Sequence, residues 1–460
     1  MGQSLNDLLN ANIERVRTGV LPRIYQLNKD LAVQRVMKNT ESNRITKTTN
    51  GADFRAPIEF APPGVFGAAN LDNGALGLGV GFSIAQFIQT FFNTKMAFQL
   101  SWQSIKGTAT SDQSVLNAWQ RTMTEGLPNM AEYEDISWHN IGGSDGQIGT
   151  VLSVTGASPG QAGTFTMETS RGARLLLPNM RFEIVDSTGT TWKTSGVSPD
   201  NLPYFNPGAV MYQGRTAAYT CPVTLTGGNV PAAGDILYLQ GAVIAGSPPV
   251  PTWLQGLRYV NNTATSGTYL GLSRSTYPVL NSSVINQGGT LTPDMCLALL
   301  QLITISTGSN QVPSTLIGLV PPHQIQVMNS TVQSMQTFFH SDVTQKQIDP
   351  LPAVTLDGGI IWGGQTHYRD MREDATIIDY CNPNDWGRVY LNDQPGADFY
   401  RNPGNNEMFF PQYSAGSSGN GSPQTSVLFY LISTLNYYNL NPRASGLITG
   451  LALPQNNYNY

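Results

Sequence analysis

Residues 56–94 read APIEFAPPGVFGAANLDNGALGLGVGFSIAQFIQTFFNT. These 39 residues carry two charges, Glu59 and Asp72, and six glycines. That combination restricts the fold more than any other part of the chain. A core segment holds fewer glycines, because each loses extra backbone entropy on folding. A flexible linker holds fewer aromatics. What remains is an extended excursion, apolar enough to lie on a surface and pliable enough to bend.

Its flanks read as strands. Ala52, Phe54, Ala56, Ile58 and Phe60 alternate with Asp53, Arg55, Pro57 and Glu59, a period of two. Pro57 lacks an amide donor and assigns this strand to a sheet edge. Met96, Phe98, Leu100 and Trp102 alternate in the same way with Lys95, Ala97, Gln99 and Ser101. Between them Ser83 offers an N-cap for a short helix with Ile84, Phe87, Ile88 and Phe91 on one face. The expectation is a two-stranded arm with a long tip. Isolated two-stranded ribbons are barely stable in water, so the arm needs a surface, and a second subunit can supply it. Phe66, Leu76, Leu78, Phe82, Ile84, Phe87, Ile88 and Phe91 are the candidate contact residues.

Composition agrees with association. The chain has 460 residues, enough for two to four modules. Charged residues are 12% of it, about half the usual share, and a surface short of charge is poorly defended against association. The net charge of −5 argues against a basic nucleic-acid binder. Residues 1–50, however, hold eight Lys or Arg and four Asp or Glu, leaving −9 on the remainder. Arg15, Arg17, Arg23, Lys29 and Arg35 are candidates to face phosphate; the plainer reading is a solvated helix face. Cys221, Cys296 and Cys381 are widely spaced and odd in number, and read as free thiols of a reducing compartment. No secretory h-region opens the chain, the match of MGQSLN to a myristoylation site is poor, and no apolar run reaches 18 residues, so no membrane partner is expected.

Further along, residues 4–37 have helical spacing, broken at Gly19 and Pro22. Residues 111–135 carry Leu116, Trp119, Met123, Leu127 and Met130 at helical intervals, with Pro128 as a kink or interruption. From about 148 to 248, short alternating segments separated by SPG, STG and TGG turns predict an all-β module. Thr292, Pro293 and Asp294 form a helix start, and a second helix carries Ile325, Met328, Val332, Met335 and Phe339. TLIGLV between them reads as a buried strand, as does SVLFYLISTL near the C-terminus. Residues 381–425 read as a long loop of functional character.

Chemistry motifs are weak. GLGVGF at 77–82 lacks the third glycine of a dinucleotide loop. Phosphate-loop and hydrolase-elbow patterns are missing from the sequence. His139, His323, His340 and His367 lack paired ligand spacing and read as structural or surface residues. Asp370, Glu373, Asp374 and Asp379 lie in HYRDMREDATIID, a spacing that suits a cation or a carboxylate pair; the preferred reading is an alternating charged surface neutralised by Arg369 and Arg372. Neither enzyme activity nor a cofactor is expected.

The order of parts resembles the major capsid protein of tailed bacteriophages, a fold shared with encapsulins. RVRTGVLPRIYQLNKDLAVQRVM, GADFRAPIEF, FNTKMAFQLSWQ and SDQSVLNAWQ look like that family's N-arm, extended loop and spine helix. TPDMCLALLQLI and VPPHQIQVMNSTVQSMQTFF look like its apical domain, and NPRASGLITGL like its C-terminal return. The resemblance implies an α+β tailed-phage major capsid fold, with an N-terminal arm (1–50), an extended β-hairpin loop (51–110) and a spine helix with peripheral domain (111–147). An inserted all-β module (148–248), an apical α/β domain (249–350), peripheral return strands (351–425) and the C-terminal return (426–460) complete it.

It also implies a virion subunit, assembled in host cytoplasm, that forms pentamers and hexamers of an icosahedral or prolate shell around double-stranded DNA. A separate scaffolding protein, a portal and a decoration protein are the implied partners. Some members crosslink a loop lysine to a neighbour's asparagine; Lys95 and Lys106 sit at the base of the arm, which speaks against such a bond. The alternatives are an encapsulin-like compartment around protein cargo and a β-rich carbohydrate-binding protein.

Overall fold

The computed structural model describes residues 31–37, 48–49, 53–61, 83–101, 128–156, 158–167, 173–206, 216–221, 230–309, 311–338, 360–362, 365–391, 398–399, 410–413 and 423–453. The fold is α+β. A single helical turn, α1 (Ala32–Val36), precedes a three-stranded antiparallel sheet of β1 (Thr48–Thr49), β2 (Asp53–Ala61) and β3 (Ser83–Thr90), in that order. The Pro57 strand β2 is thus the middle strand and not an edge, although β1 reaches only Phe54 and Arg55, and the ladder partner of Pro57 is Gln86 on β3. One residue later β4 (Phe92–Ser101) starts, in a different sheet.

Two expectations are corrected here. The segment from Ser83 is a strand and not a capped helix. Ile84, Phe87 and Ile88 sit at helical spacing, but β3 pairs with β2 from Asp53↔Thr90 to Ala61↔Ser83. That pairing buries Phe87 and Gln89 and exposes Ile84, Gln86 and Ile88, a period of two. Nor do the two flanking strands form one ribbon. β2 pairs with β3, whereas β4 pairs with a C-terminal strand more than 300 residues away, from Ser426↔Ser101 to Leu435↔Phe92. Residues 62–82, with Phe66, Leu76, Leu78 and Phe82, lie outside the described residues, as do 102–127 and Lys106.

Residues 128–138 are helical (α2), three residues beyond the expected end. The β module follows as one six-stranded sheet of β5 (Gln147–Thr155), β6 (Ala162–Met167), β7 (Phe182–Val185), β8 (Tyr204–Phe205), β9 (Thr216–Thr220) and β10 (Ile236–Leu239). Their order is β7-β10-β5-β6-β9-β8. Phe165 stacks on Tyr219 at 3.9 Å and meets Phe182 edge-on at 5.7 Å, so aromatics fill its interior. Two short pairs, β11 (Val243–Ile244) with β12 (Val250–Pro251) and β13 (Thr268–Tyr269) with β14 (Leu272–Ser273), flank a short helix, α3 (Leu257–Val260).

A second six-stranded sheet, mixed in direction, forms from β15 (Ser283–Gly289), β16 (Ile317–Val320), β17 (Ile360–Trp362), β18 (Gln365–Arg369), β19 (Ile378–Cys381) and the C-terminal β24 (Gly446–Leu451), in the order β15-β24-β19-β16-β18-β17. Helix α4 (Pro293–Thr307) starts as the sequence predicts: the Thr292 hydroxyl accepts from the Met295 amide, with Pro293 in the first turn. Gly308 in the left-handed region ends it. Helix α5 (Pro322–Phe338) follows β16, the buried TLIGLV strand. Leu299, Leu300, Ile303, Val320, Met328, Ile378, Tyr380 and Ile448 form the core here, separate from a larger core that joins α2, the β module and the base of β2–β3.

The third sheet is built on β23 (Pro423–Asn439), 17 residues long, about 58 Å of extended chain. It pairs with β4, β20 (Trp386–Tyr390), β21 (Asp398–Phe399) and β22 (Phe410–Tyr413). Among the described residues, the expected loop at 381–425 therefore holds β20, β21, β22 and the start of β23. Their signal was hidden by Asn, Pro and Gly residues between short aromatic segments.

Candidate assembly surface and the ionic network behind it

The β2–β3 ribbon is fastened at one end. Phe54 stacks on Tyr438 at 5.9 Å, and Phe87 meets Tyr269 edge-on at 6.1 Å. The Gln89 amide donates to the Gln255 side chain at 2.9 Å and to the Tyr437 carbonyl. Ile88 N–H donates to the Leu270 carbonyl at 3.0 Å. Away from this base the ribbon is open: Pro57 and Gln86 are exposed and Ile84 is 64% exposed, while Ile88, at the base, is 41% exposed on the same face as Ile84. An isoleucine so exposed leaves most of its hydrophobic stabilisation unrealised, on the order of 1.5–3 kcal/mol for a full side chain.

Of the candidate contact residues, Ile84 and Ile88 share this outward face. Phe87 does not; its ring lies in the chain's own core, 1% exposed. Phe91 is half-buried against the same core. Among the candidate basic residues, Arg35 is described: its guanidinium lies 4.0 Å above the Tyr368 ring, a cation–π contact. Arg15, Arg17, Arg23 and Lys29 lie outside the described residues. Lys95 is exposed on β4.

A second feature is a cluster of charges expected on the surface. Asp370, Arg372, Glu373 and Asp379 are buried, and their partners come from distant segments. Arg258 on α3 pairs with Glu373 and, at 2.7 Å, with Asp379. Arg372 pairs through Nε with Asp135 of α2 at 2.8 Å and donates to the Arg174 carbonyl at 2.7 Å. The other Asp135 oxygen accepts the Val33 amide of α1 at 3.1 Å. Arg388 on β20 reaches Glu134 at 3.3 Å. The network thus joins α1, α2, α3, the 370–379 segment and β20. It was missed because alternating charges look like a solvated face, and no local pattern reveals an arginine more than a hundred residues away.

His139 stands at its centre. Nδ1 faces the Asp135 carbonyl at 2.8 Å, and Nε2 faces the Asp370 carboxylate at 2.7 Å. A carbonyl can only accept, and an ionised carboxylate can only accept, so both ring nitrogens donate and the ring is an imidazolium. Burial alone would lower its pKa, but the Asp370 and Asp135 carboxylates outweigh burial and hold it up at about 9. Burial raises the Asp135 carboxyl, opposed by His139 and Arg372. His139, Asp370 and Glu373 offer ligand atoms within 4.8 Å of one another, all buried. A doubly donating imidazole has no lone pair for a metal, and Arg258 already engages Glu373. The arrangement is an ionic clamp, and its carboxylates are too deeply buried to meet a sugar substrate. His367 is structural too, buried and bonded to the Tyr380 hydroxyl at 2.7 Å. Cys221, Cys296 and Cys381 are free and buried.

No family model matches the chain, and no curated protein matches it. The solved structures to which the chain is similar include two capsids and a procapsid. The capsid asymmetric unit of cyanophage A-1(L) is 12% identical, with a TM-score of 0.42, covering 90% of this chain and 91% of its own. The capsid of a native GTA particle is 9% identical, with a TM-score of 0.39 and coverages of 93% and 92%. The procapsid of satellite phage P4, which includes a size-determination protein, is 10% identical, with a TM-score of 0.34 and coverages of 98% and 99%.

Proposed function

We propose that this chain is the structural subunit of a viral shell, icosahedral or prolate, which self-assembles through pentamers and hexamers and encloses double-stranded DNA. The observation that supports this is the β2–β3 ribbon: anchored by Phe54, Phe87 and Gln89 at its base, apolar and exposed at Ile84 and Ile88. Such a ribbon is stabilised when it lies on a neighbour. Obligate interfaces bury about 2,000–5,000 Å², and an extended element such as this ribbon adds contact area to a modest globular body. The low charge of the chain removes the repulsion that would oppose it.

The role is structural, with no catalytic step assigned to the buried carboxylates. Among the basic residues of the N-terminal segment, Arg15, Arg17, Arg23 and Lys29 are the groups proposed to face DNA by non-specific contact; Arg35 is engaged by Tyr368 of the same chain. A scaffolding protein and a portal are the expected further partners. The test is purification of the full chain from expressing and from infected cells, followed by electron microscopy and nuclease-protection assays. Closed particles protecting double-stranded DNA support the reading. Closed particles filled with protein point to a compartment, and a monodisperse monomer rejects both.

A further inference from the structure

Helix α4 has two apolar faces. Met295, Cys296, Leu299, Leu300 and Ile303 are buried on one. On the other, Leu297 is 43% exposed, Leu302 40% and Ile305 75%. At 100° per residue these three, with Ala298 and Gln301, fall within one arc of the helix surface. A surface helix ordinarily puts charged or polar residues there. Here Asp294 is the only Asp, Glu, Lys or Arg between Arg274 and Asp342. It sits in the first turn of α4, where the helix dipole favours an acid.

The uncharged surface continues past the helix. β15 packs beside α4 and ends its sheet, with Asn286 to Gly289 exposed. End strands are ordinarily guarded by charge, proline or a bulge; β15 reads SVINQGG, without charge or proline, and only a register shift between Asn286 and Gly289 interrupts its pairing with β24.

We infer that the outer face of α4, with the adjoining edge of β15, is an interface with a second copy of this chain, distinct from the ribbon contact. The charge pattern selects the occupant. Nucleic acid needs cations to replace its counterions, and this face has none. A helix lying on a membrane carries Lys or Arg on its polar side; α4 has none. A charged protein partner finds nothing complementary. A second copy brings surface of matching polarity. In a closed ring each interface repeats around the axis, so an uncharged face adds no unbalanced charge at any repeat. The inference rests on the shell-subunit reading and adds where one ring contact lies.

Two full-length variants test it. Leu302→Glu/Ile305→Glu places carboxylates on exposed helical positions, so circular dichroism and melting should match the parent. Assembled particles should fall by about tenfold or more, the effect of losing a central contact. Ile305→Cys adds a thiol to a protein whose own three are buried. Its maleimide labelling should be fast in dissociated subunits and strongly slowed in assembled particles. A folded double-Glu variant that assembles like the parent overturns the interface. So does equal labelling in both states, and so does slow labelling in both, which would mean that the chain covers its own helix. A parent that never assembles rejects the shell reading and this contact together.

Discussion

His139 donates through Nε2 to the Asp370 carboxylate at 2.7 Å, while its Nδ1 donates to the carbonyl of Asp135. The imidazolium also faces Glu373, and Asp135 is held by Arg372 and the Val33 amide. One protonated ring therefore helps to hold α1, α2 and the 370–374 segment together.

A pH dependence follows. The ordinary histidine value is 6.5, and the folded protein raises it to about 9. The folded state thus binds the proton more tightly. The stabilisation is complete below 6.5 and is lost as pH rises towards 9. Its upper size is about 3 kcal/mol. Melting temperature should fall between pH 6.5 and 9, and His139→Gln should be less stable at pH 6 with a flatter profile across that window. A parent whose melting temperature rises through the same window contradicts the clamp.

Arg258 neutralises two buried acids, Glu373 and Asp379. Arg258→Met leaves both without it, and removing one partner of a buried pair costs about 3–5 kcal/mol. Thermal unfolding of the soluble subunit checks this; a loss within experimental scatter would show that the acids find other compensation.

The two faces of β3 should respond oppositely. Ile88→Lys on the open face should change stability by no more than about 0.5 kcal/mol yet block assembly. Phe87→Ala, in the core against Tyr269, should cost about 3–5 kcal/mol in the unassembled subunit as well. Size-exclusion chromatography and calorimetry separate the two effects, and equal losses at both sites would place Ile88 in the chain's own core.

Truncation is sharpened in the same way. Removing residues 62–92 would delete Phe87 and Gln89 from the core, so it should unfold the subunit. Replacing 63–81 by a short Gly-Ser turn keeps the β2–β3 pairing and should give a folded monomer that does not form stable shells. Limited proteolysis and sedimentation tell these results apart. A shortened chain that still builds shells would show that the tip is dispensable.

Features settled within a few residues were legible in the sequence. Thr292, Pro293 and Asp294 announce α4 because a cap is a local bond, and TLIGLV is recognisable as buried from its own composition. The alternation from Lys95 to Trp102 revealed a strand but not its partner, because Leu431↔Met96 is a contact across most of the chain. At Ser83 the spacing of Ile84, Phe87 and Ile88 suited a helix, and pairing with β2 overrode it by splitting them between the two faces of a strand. The ionic clamp was hidden for the same reason: Asp370 and Glu373 look solvated until His139 and Arg258 are brought to them.

Cryo-electron microscopy of particles formed by the full chain tests the central claim most directly. The account predicts closed shells in which Ile84 and Ile88 of each β2–β3 ribbon are covered by a neighbouring copy. Particles in which that face is open to solvent, or a preparation that stays monomeric at every concentration, would contradict it.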